Sequence, residues 1–396
     1  MAEIKEEIYL VAPLRTPIGK FGGGLSSLTA AQLGTQAVTA ALERSGVPKG
    51  RVDELIFGCA RQAGVGPNVA RQIAVRSGLG HEVPAHTINQ ACGSGMRSII
   101  SAVDQIRLGN AQVVVAGGVE SMSNTPYMLP RARWGFRMGD ADLVDGMMRD
   151  GFMCPIAEEM MGSTAETLVD RYGVTRDEQD RFAVESQRKA KEAWEAGAFA
   201  AEIVPVAVEG KKGTVVVDRD EHPRPDATVE AMAKLPPAFR EGGSVHAGNS
   251  SGITDGAAAM VVASGEVVRS LGLRPIARVR GYAQAAVDPK IMGIGPVPAT
   301  RKLLEDLRMD LSDVDLVELN EAFAAQVIAC DRELALDADR LNVHGGAIAL
   351  GHPIGATGAR IVTTLAHAMR TRDRETGLAT LCISGGMGLA VLLERA

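Results

Sequence analysis

The sequence predicts an α/β fold built from two similar halves with a large insertion between them. Three observations support this. Short apolar runs alternate with longer helical patterns over residues 1–121, the same order returns over 275–396, and the alternation breaks between 122 and 251.

In order, the first part reads EIYLVA as a strand, a helix near Thr29 to Arg44, ELIFGCA as a strand and a helix near Val69 to Arg76. AHTIN, a helix after Cys92, and QVVVAGG complete a βαβαβαβ series, the pattern of a largely parallel sheet covered by helices. The last part repeats it: ARVRGYA, a helix from Ala299, DLVELN, a helix over Glu321 to Glu333, a glycine-rich loop, a helix from Ala359 to Met369, then LATLCIS and LAVLLE. Gly95-Met96-Arg97 in one half echoes Gly358-Ala359-Arg360 in the other, which suggests an internal duplication. The insertion contains an Arg/aromatic cluster, PRARWGFRMGD, an amphipathic helix near Arg176 to Gly197 and a short strand pair around VVVD. It reads as a lobe of its own, where α/β proteins often place substrate contacts.

Composition removes several classes of function. The chain has 396 residues, nearly half of them apolar, and a net charge of −6, so it lacks the basic footprint of a nucleic-acid binder. No apolar run approaches the length of a membrane span, and MAEIKEEIYL does not read as a signal peptide, so a cytoplasmic location is expected. Five widely spaced cysteines without a CxxC pair suggest reduced thiols, and metal-ligand spacings are absent.

Glycine marks the candidate chemistry. Four stretches place many small residues beside a polar or reactive one: ACGSG at Cys92, LNEAFAA at Asn320, HGGAIALGHPIGATG around His352, and CISGGMG at Cys382. Each lies where a strand ends or a helix begins, the rim at which α/β folds bind ligands. Cys92 is either a small packing residue or a nucleophile. A cysteine at a helix N-terminus faces unpaired N–H groups and the positive end of the helix dipole, which favour the thiolate. His352 is in a position to take its proton, whereas His344 reads as structural.

These stretches, in this order and spacing, resemble the thiolases, the acetyl-CoA acyltransferases, along the whole chain: the nucleophile motif at Cys92, NEAF at Asn320 to Phe323, GHP at Gly351 to Pro353 and a CxG-type motif at Cys382. The resemblance implies two duplicated βαβαβαββ halves in a five-layered α-β-α-β-α core. The halves would be residues 1–121 with 252–274, and residues 275–396, and the loop domain 122–251 would bind coenzyme A and tetramerise.

It also implies roles. Cys92 carries the acyl group, His352 is its base, Cys382 exchanges a proton with the α-carbon of acetyl-CoA, and Asn320 holds the water of one oxyanion hole. A second oxyanion hole comes from the N–H groups of Cys92 and Ser384, where Ser384 replaces the usual glycine. Arg224 would meet the nucleotide phosphates, Leu235, Phe239, Ala247 and Ser251 the pantetheine, and Met161, Met292 and Phe323 the acyl group. No metal and no permanently bound cofactor is implied, only coenzyme A and acyl-CoA as substrates. The loop Pro126 to Asp140 would join a homo-oligomer, dimer or tetramer.

Met160-Met161, where short-chain biosynthetic members usually have His-Met, counts against a preference for acetoacetyl-CoA. The other readings are a decarboxylating ketoacyl synthase, a non-catalytic thiolase-like lipid carrier and a cysteine hydrolase. The first typically uses two histidines, where this chain has Asn320 and a second cysteine.

Overall fold

The computed structural model describes Ile4, residues 6–211 and residues 213–396; the opening residues 1–3 and 5 of the N-terminal segment lie outside the described residues. Its frame consists of β1 (Ile8–Arg15), α1 (Ala30–Ser45), β2 (Glu54–Gly58), α2 (Val69–Arg76), β3 (Ala85–Ile88), α3 (Ser94–Arg107) and β4 (Val113–Ser121). The insertion adds α4 (Met161–Tyr172) and α5 (Arg176–Glu195). The frame resumes with β5 (Thr254–Ser264), β6 (Pro275–Ala286), α6 (Pro296–Leu307), β7 (Leu316–Leu319), α7 (Ala324–Leu334), α8 (Ile354–Thr371), β8 (Thr376–Ile383) and β9 (Met387–Arg395).

The strands run in the order β7-β8-β9-β6-β1-β5-β4-β2-β3, and the short strand Gly19–Lys20 also pairs with β5. Only β2–β3, β2–β4 and β7–β8 are parallel. The expected largely parallel sheet is therefore mixed. An apolar run reports burial on both faces but not direction. The glycine turn from β8 to β9, with Gly385 and Gly386 at φ 87° and 85°, and the return of the chain into β5 after the insertion set the antiparallel pairs. The halves meet where Tyr9 pairs with Arg278 and Leu10 with Ala277.

The period-two alternation of strand side chains builds the layers. In β4, Val113 and Val115 pack with α1 and α2, whereas Val114 and Ala116 face α3 and α8. On the other side, Leu378, Ala390 and Leu392 pack with α6 and α7, while Ala379, Leu381 and Leu389 face the same two central helices. Helices α3 and α8 thus fill the middle of a five-layered core. They cross where neither tolerates a side chain: a Cβ on Gly358 would lie 2.3 Å from the Met96 nitrogen, and one on Gly95 2.8 Å from the Ala359 nitrogen.

Three helix boundaries differ from expectation. Helix α8 begins at Ile354, directly after its N-cap Pro353, rather than at Ala359, and α6 begins at Pro296 rather than Ala299, because proline in a first turn forfeits no hydrogen bond. Helix α7 begins at Ala324, not Glu321. Phe323 is held extended by bridging Ser250, and Ser251 N–H donates to the Ala322 carbonyl at 3.0 Å, so Asn320 ends a strand and caps no helix. Among the described residues, no helix is long and apolar enough to cross a membrane.

Candidate active site

Cys92 sits in the turn between β3 and α3, two residues ahead of the helix. The turn is tight: Ala91 has φ 44°, Gly93 N–H donates to the Gln90 carbonyl at 2.9 Å, and Ser94 Oγ donates to the Ala91 carbonyl at 2.7 Å. A non-glycine residue with positive φ is strained, and such strain concentrates where a side chain must be aimed.

His352 precedes α8 in the other half. Its Nδ1 lies 2.6 Å from Thr357 Oγ1, and that hydroxyl also donates to the Pro353 carbonyl at 3.0 Å. With the single hydroxyl proton on the carbonyl, His352 donates from Nδ1 and Nε2 keeps a free lone pair. Beneath both loops, the buried Glu120 accepts N–H bonds from Ala60, Arg61 and Gly355 at 3.2, 3.0 and 2.9 Å, tying the loop after β2 to the start of α8.

Cys92, His352, Cys382 and Ser384 line one cavity of about 580 Å³, walled by Met161, Met292, Phe323 and Ile354. A neighbouring cavity of about 560 Å³ shares Phe152, Met161, Ser251 and Phe323 with it and is lined further by Arg224, Phe239 and Ala247. Together they form a path from Arg224 at the surface to Cys92. Leu235 does not line either one; it packs instead with Met232 and Ala183 beneath the outer cavity. Asn320 is also absent from both linings. It is buried, with its side-chain oxygen and nitrogen lacking any protein partner.

The electrostatics correct one expectation. Burial pushes the Cys92 thiol up, and Arg61 together with the N–H groups of Ser384 and Cys92 only partly offsets this. The helix N-terminus therefore does not by itself make Cys92 a resting thiolate. Burial likewise holds His352 down at about 3, helped by the Arg360 and Arg61 cations, so it is a neutral imidazole. Cys382 is pushed well up by burial and by the neighbouring Cys92. Ser384 is not among the positive-φ residues, so its Cβ adds no backbone strain there. His344 is buried edge-on to Phe199, away from both cavities, as a structural residue would be.

Two residues at the site carried no clear signal in sequence. Thr357 lies within GHPIGATG, five positions after His352, and its link to the imidazole depends on a helix start that the glycines disguise. Arg61 comes from a loop after β2 and reaches Cys92 only through the tertiary fold. Among the described residues, no group of three or more His, Cys, Asp or Glu is placed to hold a metal.

Residues 8–266 match the family model described as "Thiolase, N-terminal domain", and residues 273–395 match "Thiolase, C-terminal domain". An acetyl-CoA acetyltransferase of Syntrophomonas wolfei is 51% identical over 98% of this chain and 99% of its own. The crystal structure of the Bacillus anthracis acetyl-CoA acetyltransferase superposes with a TM-score of 0.97 at 46% identity over 99% of each chain. Human mitochondrial 3-ketoacyl-CoA thiolase, solved in complex with CoA, superposes at 0.95 with 40% identity, over 100% of this chain and 99% of its own. Similarity of this extent, over a frame that carries paired thiols in one cavity, defines the protein as an acyltransferase. The chain belongs to the thiolase family.

Proposed function

We propose that this thiolase cleaves 3-ketoacyl-CoA with coenzyme A, and runs the reverse condensation, through a thioester on Cys92. The observation that carries the reading is the meeting of two thiols and a neutral imidazole in a cavity that shares a wall with the one lined by Arg224.

The resting pair is thiol and imidazole, because burial penalises both charged forms. As substrate arrives, the Cys92 proton passes to His352 and the sulfur attacks the 3-keto carbon. The bond between C2 and C3 breaks, and the departing acetyl-CoA enolate takes a proton from Cys382. In the second half, the coenzyme A thiol gives its proton to Cys382 and attacks the acyl-enzyme, and His352 returns its proton to Cys92. The N–H groups of Cys92 and Ser384 receive the tetrahedral oxyanion, and a water on the unpartnered Asn320 amide serves the enolate oxygen. Arg224 meets the nucleotide phosphates, Phe239, Ala247 and Ser251 flank the pantetheine, and Leu235 supports that wall from behind. Met161, Met292 and Phe323 bound the acyl group.

The same reading divides the chain into residues 1–121 with 252–274, a loop domain 122–251, and residues 275–396. It places the protein in the cytoplasm as a homotetramer acting in fatty-acid breakdown. The exposed apolar side chains Tyr127, Leu129, Trp134, Phe136 and Met138 support self-association through the 126–140 region.

The test separates the half-reactions. Cys92→Ala should lose both thiolysis and acetyl labelling. Cys382→Ala should still be acetylated on Cys92, seen by intact-protein mass spectrometry, while carbon–carbon bond formation stops. Retained labelling in Cys92→Ala, or normal condensation by Cys382→Ala, overturns the assignment.

A further inference from the structure

Arg61 is 7% exposed and lines the same cavity as Cys92, yet among the described residues no ion pair or side-chain hydrogen bond holds its guanidinium. Its Nε is fully buried without a partner. The nearest buried acid, Glu120, bonds to the backbone N–H of Arg61 rather than to its cation, and both its oxygens are occupied by N–H donors. Asp150, the acid that lines the cavity, pairs with Arg149 at 3.5 Å. Over the guanidinium lies Gly151, where a Cβ would come within 2.8 Å of both Nε and Nη2. The cation is thus covered closely with no side-chain hydrogen bond or ion pair of its own, while the Glu120 charge acts on it through space.

A buried guanidinium that lacks hydrogen-bond partners is costly, and its planar fork matches a carboxylate bidentately. The remaining walls, Met161, Met292, Phe323 and Ile354, suit methylenes. We infer that the acyl pocket selects acyl groups that end in a carboxylate, with Arg61 as the specificity-determining residue. The substrates would be CoA esters of 3-oxo-dicarboxylic acids, which thiolysis divides into acetyl-CoA and the CoA ester of a dicarboxylic acid two carbons shorter.

This inference rests on Cys92 being the nucleophile, and the experiment keeps the two apart. Thiolysis is measured on 3-oxoacyl-CoA esters of five to eight carbons, each prepared with a terminal carboxylate and with a terminal methyl. The wild-type protein should favour the carboxylate at one or more lengths by about 10- to 100-fold in kcat/KM, the range of a charge-assisted hydrogen bond. Arg61→Met should erase that ratio, and Arg61→Lys, which keeps the charge, should retain part of it; thermal midpoints check that both variants fold. A wild-type ratio at or below one at every length overturns the inference. So does an Arg61→Met variant that slows both esters by the same factor, because the arginine would then act on the Cys92 sulfur. No turnover of any ester, with no acetyl label on Cys92, overturns the nucleophile assignment itself.

Discussion

Arg97 and Arg360 hold matching places on the two central helices, each two residues after a glycine at the crossing, yet they have opposite fates. Arg97 is partly exposed and donates to the Gln90 and Gln284 side chains. Arg360 is 1% exposed, faces Glu318 at 3.5 Å, and none of its three nitrogens makes a hydrogen bond within the protein. The copies share a backbone solution while differing in electrostatic load. The N-terminal half leaves the arginine of its central helix partly in solvent and supplies the nucleophile; the C-terminal half buries its arginine against Glu318, whose carboxyl burial pushes up to about 8, behind the base.

The widest separation between the halves should come from removing these arginines. Arg360→Met removes the cation facing a buried Glu318, whose carboxyl burial pushes up to about 8, and should lower unfolding free energy by about 1–3 kcal/mol, whereas Arg97→Met should cost under about 1 kcal/mol. Urea denaturation of both variants measures the contrast, and a Glu318→Leu/Arg360→Met double variant should recover most of the loss.

The crossing itself should respond less, and in both halves. Gly358→Ala is expected to cost about 1–3 kcal/mol, and Gly95→Ala somewhat less, because the clash at Gly358 is with backbone at 2.3 Å rather than 2.8 Å. A Gly358→Ala protein of unchanged stability would mean that the helices can part.

Acid sharpens the comparison by degrees. His352 and His344 are held at about 3 and about 4 by burial, against 6.5 for a free histidine, while His81 and His86 of the N-terminal half are exposed. Between these values and 6.5 the unfolded chain binds the extra protons, so stability present above pH 6.5 is lost as the pH falls. Each buried histidine contributes up to about 1.4 kcal/mol per pH unit. Denaturation at pH 7, 6 and 5 should show that slope, and His344→Gln should flatten it.

Much of the frame was legible because burial imprints alternation on strands and caps on helices: the sequence reading places α2 at Val69–Arg76, and Thr29 accepts from Gln32 N–H to start α1. Strand direction was not legible, since it depends on connections. The first turn of α8 was hidden because PIGATG reads as a loop; its glycines are there to let Gly355 and Gly358 meet β4 and α3. At the site, Cys92, His352, Asn320 and Cys382 stood out through their small neighbours. Arg61 and Thr357 did not, because each acquires its meaning from a partner distant in sequence or across an unseen helix start.

The two edges of the sheet are finished differently. At β7, the Val317 N–H donates to the Arg340 carbonyl, the Asn342 N–H to the Val317 carbonyl, and the Asn342 side chain closes on Leu319 from both sides. At β3, no strand among the described residues lies beyond Ala85–Ile88, where the Asn68 side chain donates to the Ala85 carbonyl at 2.9 Å. A molecule with one edge sealed by backbone and one edge without a neighbouring strand can add a strand partner only once. Two copies joined through β3 would leave nothing for a third to extend, so growth by strand addition stops at a pair and never becomes a filament.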